Sequence, residues 1–146
     1  MALRWPRPFL EVTREDAARV RRLFEADPYA AALGIQLLDA DPASVTVEMP
    51  ITASHLNFYD VTHGGAMFSL ADCAFSLASN AHGDRAVAID THLALTAGTA
   101  AGDTLTAVAE EVTRGRTLAT YRITITRGDG RVSGLFTGTV HVSKPL

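Results

Sequence analysis

The chain has 146 residues, 47% of them apolar, and a formal net charge of −3 at pH 7. That is the usual size of one domain with a real core, and it argues against a disordered chain. No basic run exceeds Arg21-Arg22, so a nucleic-acid or anionic-membrane footprint is missing, and a lone Cys73 excludes an internal disulfide and fits a reducing compartment.

The opening "MALRWPRPFL" lacks the unbroken apolar run of a secretory signal, and no stretch is long enough to span a bilayer, so a cytoplasmic protein is expected. Residues 1–12 read as a loose arm with Trp5, Pro6 and Pro8, and 13–146 as a single domain. A first helix is predicted from Thr13, whose hydroxyl caps while Asp16 answers three residues later, to Asp27-Pro28. Ala17, Val20 and Phe24 share its apolar face. "YAAALG" is a short second turn closed by Gly34 at a C-cap.

"IQLLDA" reads as a strand, Asp41-Pro42 as a turn, and "SVTVEMPI" as a half-buried strand in which Val45, Val47, Met49 and Ile51 alternate with Thr46 and Glu48. A polar and aromatic loop covers 52–62. Residues 66–81 predict one long helix, apolar on most sides and therefore buried. Strand patterns follow in "AVAIDTHLAL", "DTLTAVAEEVTR", "TLATYRITITR" and "RVSGLFTGTVHVS", broken at 98–102, at Gly115 and at the hairpin signal "GDG" 128–130. Strands running around one segregated helix predict an α+β fold, a mainly antiparallel sheet wrapped on that helix.

The chemistry concentrates at the start of the long helix. A helix N-terminus offers unpaired N–H groups and partial positive charge, and His63-Gly64-Gly65 lets a polar ligand atom approach the backbone without meeting a Cβ. Such a site suits a carbonyl oxygen gaining negative charge during acyl transfer; a tight turn that needs glycine is the other reading. Asp72 sits well inside the helix, where capping does not account for it, as an acid that is either paired or chemically used. Gly64 and Asp72 are eight residues apart, roughly 12 Å along a helix axis, too far to serve one carbonyl carbon from one chain. Two antiparallel copies bring them together, which points to a two-fold dimer with shared sites.

Asn57, in the loop before the helix, has an amide able to position water or an acyl oxygen, or is an ordinary loop residue. Ser76, one turn beyond Asp72, is within reach of a hydrogen bond to it, or is merely small. Arg114, Gly115 and Arg116 form either a phosphate contact or a charged hairpin end. The five histidines include no i, i+3 or i, i+4 pair, and no metal site is expected. Cys73, mid-helix in apolar surroundings, is not expected to be a nucleophile.

The motif "N-x5-HGG-x3-SLADCAF-x4-N", with "IDTHLAL", "AGDTLTA", "RGRTLATYRITI" and "GRVSGLFTG" after it, resembles the hotdog-fold acyl-CoA thioesterases, and most nearly their phenylacetyl-CoA (PaaI-like) branch. The resemblance covers roughly residues 30–142. It implies a sheet wrapped on the long helix, dimers whose sheets join, and often tetramers. It implies that the Gly64 N–H, with Gly65 beside the bound substrate, polarises the thioester carbonyl, that Asp72 of the partner is nucleophile or general base, and that Asn57 assists. His63 would shape the turn, the loop carrying Phe58 would border the acyl pocket, and Arg114, Gly115 and Arg116 would lie near the CoA pantetheine or phosphates. Two departures stand out: Asp60 replaces a frequent glycine, and Ala88 stands where some relatives place a water-holding serine.

The function expected is hydrolysis of an aryl- or medium-chain acyl-CoA to free acid and CoA by a homo-oligomer, with no cofactor other than the CoA of the substrate and no metal. The alternatives are a hotdog acyl-thioester hydratase or dehydratase, which wants a histidine and an acid over the acyl α and β carbons, and a non-catalytic acyl-CoA-binding protein.

Overall fold

The alternating strand patterns resolve into a single six-stranded antiparallel sheet. The structure, a computed structural model, describes residues 14–143; the expected arm at 1–12 and the Thr13 cap lie outside the described residues. In chain order the elements are α1 (Arg14–Glu25), α2 (Pro28–Leu33), β1 (Gln36–Asp39), β2 (Thr46–Pro50), a 3₁₀ turn (Ala53–His55), α3 (Gly64–Ser79), β3 (Arg85–Leu95), β4 (Thr104–Arg114), β5 (Leu118–Thr126) and β6 (Val132–Ser143). The strand order is β1-β2-β4-β5-β6-β3, so β3 crosses to the far edge.

Period-two burial makes one face of the sheet apolar. In β5, buried Ala119, Tyr121, Ile123 and Ile125 alternate with Thr120, Arg122 and Thr124. That face curls over α3, which packs against β2, β3, β4, β5 and β6. Phe75 of α3 meets Phe136 and Tyr121 at ring-centroid distances of 5.4 and 5.9 Å. Gly138 makes room for it, since a Cβ there would sit 2.7 Å from Phe75 Cζ.

The two ends of α3 are fastened differently. It begins at Gly64, two residues before the expected start, because His63 acts as the N-cap with extended backbone. At the other end Asn80 works as a two-pronged clamp: its Nδ2 donates to the Ala86 carbonyl at 3.2 Å and its Oδ1 accepts from the Ala86 amide at 2.9 Å. This ties the helix end to β3 in the manner of a strand pair. Arg19 of α1 donates to the Ala81 carbonyl at 2.7 Å just beyond.

Short α2 is pinned at both ends. Asp27 accepts from the Tyr29 and Ala30 amides, and Gly34, at φ +76°, supplies the left-handed C-cap expected of it. Buried His55 then holds α2 to the 3₁₀ turn: its Nε2 lies 2.8 Å from the Leu33 carbonyl, and its Nδ1 accepts from the Thr52 amide. No helix of the described residues is long and apolar enough to cross a membrane.

Candidate active site

Three features converge at the N-terminal half of α3. The first is the backbone of its opening turn. His63 Nδ1 accepts from the Gly65 amide at 2.8 Å, so that donor is already used. The Ala66 and Met67 amides reach the His63 carbonyl. Gly64 N–H has no acceptor among the described residues, and it lies where the helix carries partial positive charge. Of the predicted Gly64 and Gly65 pair, the first keeps an open donor.

The second feature is a polar stripe on an otherwise buried helix. Gly65, Ser69, Asp72, Ser76 and Asn80 recur at helical spacing and remain partly or fully open to solvent, while the other sides are buried. Asp72 has no hydrogen bond or ion pair among the described residues. Burial pushes its carboxyl above the usual aspartate range, and the neighbouring Asp27 carboxylate adds to the shift. Arginine pairing or backbone donors, the structural explanation for a mid-helix acid, are thus missing among the described residues. Cys73 beside it is buried, and its thiol is pushed up to about 12, chiefly by burial, which keeps it protonated and inert.

The third feature is a cleft of about 300 Å³ next to the helix start, lined among others by Tyr29, Leu33, His55, Leu56, His63 and Gly65. The loop at 56–62 closes one side through the Leu56–Thr62 bridge. Asn57 shapes that loop: its Oδ1 accepts from the Tyr59 amide at 2.8 Å, and its backbone pairs with Val61 and Asp60. Asp60 takes φ +59°, which explains why glycine suits this position and why aspartate, tolerant of the left-handed region, also serves.

Other predicted residues lie elsewhere. Ser76 does not reach Asp72; its hydroxyl donates to the Cys73 carbonyl at 3.1 Å, the usual local alternative for a helical serine. Phe58 is 88% exposed, against Tyr59, and is outside the cleft of this chain. Arg114 is placed differently from Arg116. It turns inward, donating to the Tyr121 hydroxyl at 3.0 Å and toward the Ser79 carbonyl at the α3 C-terminus, with Glu111 and Asp84 nearby. A cation there complements the helix dipole. Gly115 and Arg116, at the tip of the β4–β5 hairpin, are exposed.

Sequence reasoning missed four contributors: Tyr29, His55, Ser69 and Asn80. Ser69 and Asn80 carried a signal, as residues of the helix motif. Among the described residues no three of His, Cys, Asp and Glu come together to hold a metal.

Comparison with known proteins identifies the family and fold. The Thioesterase superfamily matches residues 59–133. A Deinococcus radiodurans relative is 46% identical over 117 residues, covering 80% of each chain. The acyl-coenzyme A thioesterase PaaI of Escherichia coli is 39% identical over 119 residues, covering 82% of this chain and 85% of its own. Among solved structures, the E. coli PaaI protein from the phenylacetic acid degradation operon superposes with a TM-score of 0.88 at 34% identity, covering 92% of this chain and 97% of that one. A Streptococcus pneumoniae thioesterase protein solved with coenzyme A gives 0.79 at 27% identity, covering 85% and 97%. The sheet curled on α3 is therefore the hotdog fold, and the chain belongs to the thioesterase superfamily, in its PaaI-like branch of thioester hydrolases.

Proposed function

We propose that this thioester hydrolase cleaves acyl-CoA in a site shared by two copies of the chain, with the Gly64 amide of one and Asp72 of the other. The observation that carries the reading is an open amide in the first turn of α3 together with a carboxylate on its polar stripe that has no partner among the described residues. They are separated by eight residues, or roughly 12 Å of helix rise. An antiparallel second helix cancels that separation.

The free edge of the sheet supports such an assembly. β3 is an edge strand of 11 residues with exposed Val87, Ile89 and Leu95, a surface that proteins keep covered. Pairing β3 with β3 of a second copy extends the sheet and lays the two α3 helices side by side. The same symmetry carries the hairpin with Gly115 and Arg116 from the far end of α3 toward the partner's Gly64, to within roughly 10 Å along the axis. Arg116 is then the cation that meets the CoA phosphates, and the coenzyme A held by the S. pneumoniae neighbour fits this choice of thiol.

The chemistry follows from the two groups. The Gly64 N–H donates to the thioester oxygen as it gains charge. Asp72 takes a proton from water whose oxygen attacks the carbonyl carbon, or attacks that carbon itself to give an anhydride that water then opens. The C–S bond breaks, CoA leaves as a thiolate, and the acid is released. Little leaving-group assistance is needed because a thiolate departs readily. The Asn57 amide nitrogen, which has no partner among the described residues, holds the water or the acyl oxygen. Single-ring and medium-chain acyl groups are the substrate class that a cleft of about 300 Å³ favours.

Thiol release from a panel of acyl-CoAs tests the function, and light scattering on the eluted protein tests the assembly. Hydration of an enoyl-CoA without thiol release, or tight binding with no turnover, would replace this reading.

A further inference from the structure

We infer that Tyr29 sets the size of the acyl group, its ring closing the cleft under α2 as a latched wall; this rests on the acyl-thioesterase reading. The cleft lies against His63 and Gly65, so an acyl group whose carbonyl meets the Gly64 amide has this hollow beside it. At about 300 Å³ it is at the small end of ligand sites, and what bounds it decides what enters.

Its walls differ in freedom. The Leu33 end is immobilised, because the Leu33 carbonyl pairs with buried His55 and Gly34 terminates α2 there. At the other end the Asp27 cap holds the Tyr29 backbone, but the side chain is freer. The ring is 63% exposed, and its side chain is held, among the described residues, by one hydrogen bond, between its hydroxyl and Ser69 Oγ at 2.8 Å.

Counting protons gives that bond a direction. Ser69 donates its own proton to the Gly65 carbonyl at 2.8 Å, so Tyr29 must be the donor to Ser69. The series Tyr29 to Ser69 to Gly65 ends on the glycine that borders the carbonyl site. Ser69 itself is outside the cleft lining. A rotation of Tyr29 about χ1 breaks the latch and lengthens the cavity, so a long acyl chain must displace the ring whereas a short or single-ring group leaves it shut.

The test compares kcat/KM, with kcat and KM separated, for acetyl-, hexanoyl-, decanoyl-, palmitoyl- and phenylacetyl-CoA in the wild type, Tyr29→Ala, Tyr29→Phe and Ser69→Ala. Tyr29→Ala is expected to raise the long-chain to short-chain ratio by about tenfold or more, the scale on which apolar pockets discriminate methylenes. Tyr29→Phe and Ser69→Ala, which cut the latch and leave the lining in place, shift it the same way by less. A ratio within about twofold of wild type in a cooperatively melting Tyr29→Ala protein overturns the inference. If that variant does not fold, an unchanged ratio in Ser69→Ala does so instead. A wild type that releases thiol from none of the five substrates sinks the thioesterase reading, and this inference with it.

Discussion

His63 Nδ1 accepts a hydrogen bond from the Gly65 amide at 2.8 Å, and this decides which of two adjacent glycines is left to meet a ligand. An imidazole nitrogen that accepts carries no proton, so the ring proton is on Nε2. The histidine thereby saturates one donor of the helix start and fixes the direction of the turn. The Gly64 N–H, one residue earlier, stays open at the positive end of α3.

Gly64→Pro removes that donor and adds a Cβ 3.2 Å from Leu95 Cδ1, which the flexible end of that side chain can yield to. Gly64 is the first helical residue, the position proline tolerates best, and His63 already has the extended φ −61°, ψ 133° that a following proline demands. The melting temperature should hold while kcat falls by about 10²–10³, the scale seen when one oxyanion donor is lost. Steady-state thiol release and a thermal melt check both halves. Retained turnover would remove Gly64 from the mechanism.

His63→Ala frees the Gly65 amide and leaves the helix uncapped. A loss of about 0.5–2 kcal/mol in stability is expected, together with reduced kcat/KM, since the Gly64 amide is no longer held in place. His63→Asn, which caps as well, should recover most of both. Urea unfolding beside kinetics distinguishes a cap from a proton-transfer role, because asparagine cannot restore the latter.

Asp72→Asn should lower turnover by about 10²–10⁴ and at the same time stabilise the fold at neutral pH. Burial raises the folded-state pKa above the unfolded one, so the native chain binds the proton more tightly. Its stability is then greatest below the unfolded pKa and declines as pH rises through the folded value. Asparagine escapes that decline. The variant should melt above wild type at pH 7, and the two should converge below about pH 4. For the same reason the acid limb of the wild-type kcat/KM profile should lie above the ordinary aspartate range. Melts that cross in the opposite sense would show that Asp72 is stabilised as an anion.

Asn80→Ala deletes both prongs of the clamp on Ala86. At about 0.5–1.5 kcal/mol for each hydrogen bond, the loss should reach about 1–3 kcal/mol. Asn80→Asp keeps an acceptor for the Ala86 amide but loses the donor, and should fall between. Hydrogen exchange at the Ala86 amide reports the clamp directly: it should accelerate in Asn80→Ala.

What the amino-acid sequence determined by itself was whatever a residue owes to its neighbours along one element. Apolar alternation marked β2, β4, β5 and β6, and a long run apolar on most sides marked α3, each within a residue or two. Gly64-Gly65 and Asp72 stood out as glycines and an acid at odds with the helix around them, with His63 just before it and Asn57 in the preceding loop. Tertiary structure alone decided which elements meet. It carried β3 to the far edge of the sheet and turned Arg114 inward to Ser79, 35 positions away. It brought Tyr29 onto Ser69 across 40 positions. The reason is that a side chain's face is set by local backbone geometry, whereas its partner is set by the register and packing of the whole sheet around α3, which no window of a dozen residues contains.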